Sequence, residues 1–205
     1  MKNIVFDMGN VLIRWAPAHF IEREGITDPS DAALLMSAIF RSDEWPMLDG
    51  GDIDEPEMLQ IAKTRLPERL HGTAERLIFS WNDPIEPISG MAELIAGLKS
   101  EGKGIYLLSN ASRRQAEYWP SVPGSGYFDG CVISAAEGVK KPSPGIYRLL
   151  LGRFGLKAEE TVFIDDVKAN ADGAEAVGIK GIVFDGDAAK LQRTLAGLDA
   201  TGEQK

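Results

Sequence analysis

Cysteine and histidine are nearly missing from the 205 residues: Cys131 stands alone, and His19 and His71 are the two imidazoles. A lone cysteine excludes an intrachain disulfide and a cysteine-built zinc site, and is the usage expected in a reducing compartment. Long apolar runs are missing as well: none approaches the roughly 20 residues of a membrane-spanning helix. Only Ile4, Val5 and Phe6 separate Asn3 from Asp7, too few for the apolar region of a secretion signal. The expectation is a cytoplasmic protein with no membrane partner. Positive charge is scarce and scattered, with 22 Lys and Arg against 31 Asp and Glu for a net charge of −9. A nucleic-acid backbone is therefore repelled, and no nucleic acid is expected as a partner. Internal repeats and low-complexity tracts are also absent, and nothing in the chain speaks to oligomeric state.

What is present is an ordinary globular composition, 44% apolar and 26% charged, in a length that supports one core with a modest insertion rather than two full domains. Residues 3–6 are short, apolar and rich in β-branching, and Asp7-Met8-Gly9-Asn10 breaks the run, which reads as a buried strand ending on a carboxylate. Residues 104–108, 130–133 and 161–164 repeat that grammar, leading to Ser109-Asn110, towards Lys140-Lys141, and to Asp165-Asp166. Helical spacing separates them, through Met91, Leu94, Ile95 and Leu98, through Ile146, Leu149 and Leu150, and over 169–177 before a last strand at 181–184. Such alternation predicts an α/β protein with a Rossmann-like doubly wound parallel sheet and helices on both faces. In that architecture ligands lie beyond the carboxyl ends of the strands, so distant residues converge there.

Residues 16–82 break the alternation and read as helical almost throughout. The expected organisation is a core of residues 1–15 and 83–205, with 16–82 inserted after the first strand as a small all-helical cap. Asp28-Pro29 opens a helix reaching Phe40, Asp54 with Glu57 makes a capping pair for a second through Arg65, and Thr73 starts a third ending near Trp81. Asp83-Pro84 and Glu86-Pro87 then make a stiff return, because the residue before each proline is pushed out of the helical region. Residues from Asp199 onward read as a frayed tail.

The polar strand ends fall in a definite order: Phe6-Asp7-Met8-Gly9-Asn10, then Leu107-Leu108-Ser109-Asn110, then Lys140-Lys141-Pro142, then Phe163-Ile164-Asp165-Asp166 with Asn170 and Gly173-Ala174 behind. These resemble the four successive motifs of the haloacid dehalogenase superfamily of hydrolases, over about residues 3–184, with the helical insertion where its small cap belongs. Gly9-Asn10, Trp119-Pro120 and Lys141-Pro142 with Ile146-Tyr147 resemble, more narrowly, its bacterial α-D-glucose-1-phosphate phosphatase-like branch.

The resemblance implies a phosphatase acting on a small-molecule phosphate ester, with a sugar phosphate the preferred class. Asp7 would be the nucleophile that forms an aspartyl-phosphate, and Mg2+ the cofactor that lets a carboxylate approach a phosphate dianion. Asp7, the main-chain carbonyl of Gly9, and Asp166 with Asp165 directly or through water would hold the ion. Lys141, preferred over Lys140, would contact Asp7 and the phosphoryl oxygens as a point charge. Ser109 by its hydroxyl and Asn110 by its amide would bind those oxygens, and Asn170 would orient the acidic pair.

One departure stands out. Most phosphatases of this superfamily carry a second aspartate two residues after the first, as general acid and base; here that position is Gly9. Either the leaving group departs without help, or water or a cap residue supplies the proton. Two other readings compete: a haloacid dehalogenase, which lacks the second aspartate and needs no metal, and a degenerate member that only binds phosphometabolites. A response-regulator receiver has similar residues in the wrong order. Arg14, Trp15, Arg41, Glu44 and Trp45 are candidate pocket residues, whereas Trp81, Trp119 and Cys131 are expected in the core and His71 at the surface.

Overall fold

A computed structural model describes the backbone of residues 1–202 and the side chains of residues 1–198. Five strands, β1 (Asn3–Phe6), β2 (Gly104–Ser109), β3 (Gly130–Ile133), β4 (Thr161–Asp165) and β5 (Lys180–Val183), form one parallel sheet in the order β3-β2-β1-β4-β5. Strand residues alternate between two apolar faces, as a sheet covered on both sides requires. Ile4, Phe6, Ile105, Leu107, Val162 and Ile164 pack with residues of the helices Met91–Ser100 and Ala188–Gly202. Val5, Leu108, Val132 and Phe163 pack on the other face with residues of Pro144–Phe154 and Lys168–Glu175. This is the doubly wound sheet expected.

The register decides where the chemistry lies. Phe6 pairs with Leu107 on one side and Ile164 on the other, so the residues that follow β1, β2 and β4 emerge together at the central switch of the sheet. Asp7 is tied there by its own N–H, which donates to the Ile164 carbonyl at 2.9 Å.

Between β1 and β2 the segment is helical: Pro17–Arg23, Pro29–Leu35 continued by a π-helical turn Met36–Phe40, then Glu44–Gly50, Glu55–Arg65 and His71–Phe79. Asp28 caps the second of these and Asp54 with Glu57 forms a reciprocal capping box, so both starts were legible. Fourteen buried residues from Phe20 to Ile78 make a cluster within this segment. At about 1.5–3 kcal/mol for each large apolar side chain buried, that suffices to order the helices against one another. Two antiparallel crossings join it to the sheet: Arg14 N–H to Glu86 O and Ile88 N–H to Leu12 O, both 2.8 Å.

Two local expectations change. The last helix continues through Gly202, so 199–202 are helical, and the remainder of the expected tail, residues 203–205, lies outside the described residues. His71 is half-buried, its Nε2 3.1 Å from Lys63 O and 3.0 Å from Leu66 O, because the helix before it ends without carbonyl partners of its own. Among the described residues no helix is long and apolar enough to cross a membrane.

Candidate active site

Asp7 leaves β1 into a tight turn that the backbone can make because Asn10 takes a left-handed conformation, φ 53°, which asparagine tolerates better than most side chains. Asn10 then works with both ends of its amide: its Oδ1 accepts from Trp15 N–H at 2.9 Å, and its Nδ2 donates to Asp166 Oδ2 at 3.0 Å. The turn that exposes Asp7 is thereby locked to the acidic pair after β4.

Lys141 is the electrostatic centre. Its ammonium, 3% exposed, lies 2.7 Å from Asp7 Oδ1 and 2.7 Å from Asp165 Oδ2. Burial works against its charge, but the two carboxylates outweigh that and raise its pKa above the usual lysine value. Its backbone is gripped by Asn110, whose Oδ1 accepts from Lys141 N–H at 2.8 Å and whose Nδ2 donates to Lys141 O at 3.0 Å. Lys140 points elsewhere, donating to Pro46 O at 2.8 Å.

Asp165 is fully buried and saturated by protein: Val167 N–H donates to Oδ1 at 2.8 Å, and Asn170 Nδ2 lies 3.0 and 3.1 Å from its two oxygens. Asp166 keeps an oxygen beyond the Asn10 bond. Asp7, Asp165 and Asp166 each bring a carboxylate oxygen within 4.8 Å of the others. Three carboxylates against one ammonium leave excess negative charge, and burial pushes Asp7 up to about 6 despite the pull of Lys141. An all-oxygen cluster short of positive charge fits a hard divalent cation such as magnesium.

These groups open onto a cavity of about 310 Å3, whose floor includes Asp7, Gly9, Ser109, Asn110, Lys141 and Asp166. Of the expected catalytic, phosphate-binding and metal-holding residues, all but the buried Asp165 line it, and Asp165 contacts Lys141 from behind. The helical segment forms the opposite wall. Trp15, Phe40, Trp45 and Trp81 make it aromatic, with ring centroids 5.1 Å apart for Trp15 and Trp45 and 4.7 Å for Trp15 and Trp81. Trp81 is therefore a wall of the cavity and not simply core, whereas Trp119 packs on Phe128. Arg14 and Glu44 are occupied away from the cavity by Glu86 and Arg65, and exposed Arg41 does not line it.

Sequence reasoning missed two carboxyls in that wall. Glu55, 6% exposed, accepts from Ser112 Oγ at 2.5 Å. Asp49, half-buried at the end of helix Glu44–Gly50, is pushed by burial up to about 7. The signal available was an acid directly before Gly50-Gly51, a pair that breaks a helix and presents its last turn.

Comparison with known proteins agrees with this geometry. Residues 1–178 match the family model of haloacid dehalogenase-like hydrolases. A sesquiterpene phosphatase of Aspergillus oryzae is 28% identical over 88% of this chain and 88% of its own length. A phosphorylated carbohydrates phosphatase of Thermotoga maritima is 25% identical over 89% and 84%. Among solved structures, an aspartate-to-alanine mutant of a haloacid dehalogenase family enzyme from Bacteroides thetaiotaomicron, in complex with magnesium and inorganic phosphate, has a TM-score of 0.68. It is 21% identical, with 89% of this chain and 93% of that chain covered.

Proposed function

The chain belongs to the haloacid dehalogenase-like hydrolases and is a phosphoric monoester hydrolase, and from that premise we propose that it is a magnesium-dependent phosphatase working through an aspartyl-phosphate on Asp7. The observation that carries this reading is the Lys141 ammonium held 2.7 Å from both Asp7 and Asp165 at the floor of one cavity beside Asp166.

Asp7, Asp166 and the Gly9 carbonyl would hold the ion, with Asp165 behind them through water. When bound, magnesium supplies charge neutralisation between the nucleophile and the phosphate dianion. Phosphoryl transfer asks the protein mainly for position and charge compensation. Asp7 attacks phosphorus in line. Lys141 holds that carboxylate and meets the phosphoryl oxygens as they gain charge. The Ser109 hydroxyl and the Asn110 N–H orient the same oxygens, while Asn170 and Val167 keep Asp165 fixed. Residues 16–82 act as the cap that covers the substrate, hinged on the two crossings at Arg14 and Ile88, and the aromatic wall excludes water.

The wall also speaks to the substrate. It offers aromatic faces and the carboxyls of Asp49 and Glu55, while its cation, Arg114, is committed to Phe79 O at 2.7 Å and Glu117 at 2.9 Å. A second anionic group is unwelcome there, so the substrate is a monophosphate with an uncharged body. A sugar phosphate fits through ring stacking and hydroxyls that donate to the carboxyls; the relative named for sesquiterpenes points to an apolar body on the same rings.

A screen of phosphorylated metabolites with and without magnesium tests the proposal. Phosphate release that requires the ion, favours uncharged bodies and falls by at least about a thousandfold in Asp7→Asn is expected; release that survives in Asp7→Asn would defeat it. A dehalogenase reading is disfavoured by the Asp7, Asp165 and Asp166 cluster, since carboxylates repel a departing halide; release of halide from 2-haloacids without metal would revive it.

A further inference from the structure

The phosphatase reading leaves one proton without a source. When the ester bond breaks, its electron pair goes to the substrate oxygen, and an alkoxide leaves slowly unless a proton arrives as it forms. Gly9 supplies none. Packing does not impose that glycine, because a Cβ there would stand 3.6 Å from Trp15 Cβ, an ordinary contact. A donor supplied by the protein would therefore stand elsewhere in the cavity.

Among the described residues four carboxyls line the cavity: Asp7, Asp49, Glu55 and Asp166. Asp7 attacks, Asp166 belongs to the carboxylate cluster with Asp7 and Asp165 and accepts from Asn10 Nδ2, and Glu55 is held by Ser112 Oγ at 2.5 Å. Asp49 remains, and its carboxyl has no hydrogen bond or ion pair among the described residues; its backbone carbonyl accepts from Ser134 Oγ at 2.5 Å. The support beneath it is rigid. Lys140 donates to Pro46 O at 2.8 Å, Arg113 to Gly51 O at 3.3 Å, and a Cβ on Gly51 would come 2.3 Å from Ala135 O, so this turn lies directly on the short helix Ser134–Glu137 after β3. A partnerless carboxyl on a fixed turn, in the wall across from the nucleophile, is what a proton donor requires.

Resting on the phosphatase reading of this site, we propose that Asp49 is the general acid and base that replaces the carboxyl missing at Gly9. In the first half-reaction an Asp7 oxygen forms a bond to phosphorus as the bond from phosphorus to the substrate oxygen breaks, and protonated Asp49 gives its proton to that oxygen, releasing the alcohol. In the second, the Asp49 carboxylate takes a proton from water, the water oxygen bonds to phosphorus, the Asp7–phosphorus bond breaks, and phosphate leaves with Asp49 protonated again. Burial favours the protonated form near neutrality, with Asp7 and Glu55 acting in the same direction and Lys140 and Lys141 opposing. The Tyr118 phenol faces the same group and is itself pushed upward by burial and by Asp49.

The test uses the magnesium-loaded enzyme, wild type and Asp49→Asn, on an alkyl phosphate and on p-nitrophenyl phosphate, whose leaving group needs no proton. Because kcat/KM reports the first half-reaction, the expected result is a split: a loss of about 100-fold or more on the alkyl ester against less than about 10-fold on the aryl ester. The basic limb of the alkyl pH profile should vanish as well. Asparagine is isosteric, the carboxyl has no partner to lose and the amide carries no charge to bury, so the unfolding midpoint should not fall. Equal losses on both esters, or no loss on the alkyl ester, would overturn the assignment and leave the phosphatase reading intact. Absence of magnesium-dependent turnover of every ester by the wild type would overturn both.

Discussion

At the scale of single residues the site turns on one buried cation. Asp165 is fully buried and Lys141 is 3% exposed, so water offers neither any compensation if the other is removed. Lys141→Met should lower the stability of the metal-free protein by about 3–5 kcal/mol, because it leaves two buried carboxylates facing each other. Asn170→Ala, which removes a neutral donor to Asp165, should cost less, about 1–3 kcal/mol. Thermal unfolding of the two variants checks the order; equal midpoints would mean that the ammonium is not what holds the acids together. Asp7, Ser109, Asn110 and the Asp165-Asp166 pair were legible because each ends a recognisable strand, and strand ends converge in a parallel sheet. Asp49 was not. Its place depends on how a helix forty residues after β1 folds back over the sheet, which no local pattern encodes.

At the scale of elements the helix Glu44–Gly50 explains that gap. Seven residues are too few for a periodic signal, Pro46 lies in its first turn, and Asp43 makes no capping bond to announce it. The helices opened by Asp28 and Asp54 carry side-chain caps and were readable from them. What fixes the short helix is tertiary: Gly51, φ 77°, ends it in a left-handed turn pressed on Ala135. Gly51→Ala meets both a forbidding backbone conformation and a main-chain oxygen, so it should destabilise by more than about 1 kcal/mol. Because the same turn carries Asp49, its kcat/KM for an alkyl phosphate should fall more than for p-nitrophenyl phosphate. A variant as stable and as active as the wild type would show that the turn does not position the acid.

At the scale of the whole molecule, acidity concentrated in one cavity links folding to pH and to metal. Asp7 and Asp49 are held at about 6 and about 7 against an ordinary 3.8. Between about pH 4 and 7 these two groups therefore bind more protons in the folded protein than in the unfolded chain. The stability that these two groups contribute is full below about pH 4 and lost as pH rises through their folded values. Carboxylates held low, such as Glu44 at about 2 beside Arg65 against an ordinary 4.5, have gained nearly all their stabilising effect by about pH 5. The unfolding midpoint without metal should fall from pH 5 to pH 8, and magnesium should raise it more at pH 8, where the ion no longer competes with protons. A flat or rising midpoint would contradict the placement of these carboxyls. The parallel sheet, its strand ends and the helical insertion follow from hydrophobic periodicity; the shape of the cavity, with Trp81 in its wall, follows from packing between distant segments.

The most direct test of the central claim is to quench the magnesium-loaded enzyme with acid during turnover of a phosphate ester and map the protein by mass spectrometry. One phosphoryl group on the peptide that contains Asp7, absent from Asp7→Asn, is the expected result; steady turnover with no phosphoryl group on Asp7 would contradict it.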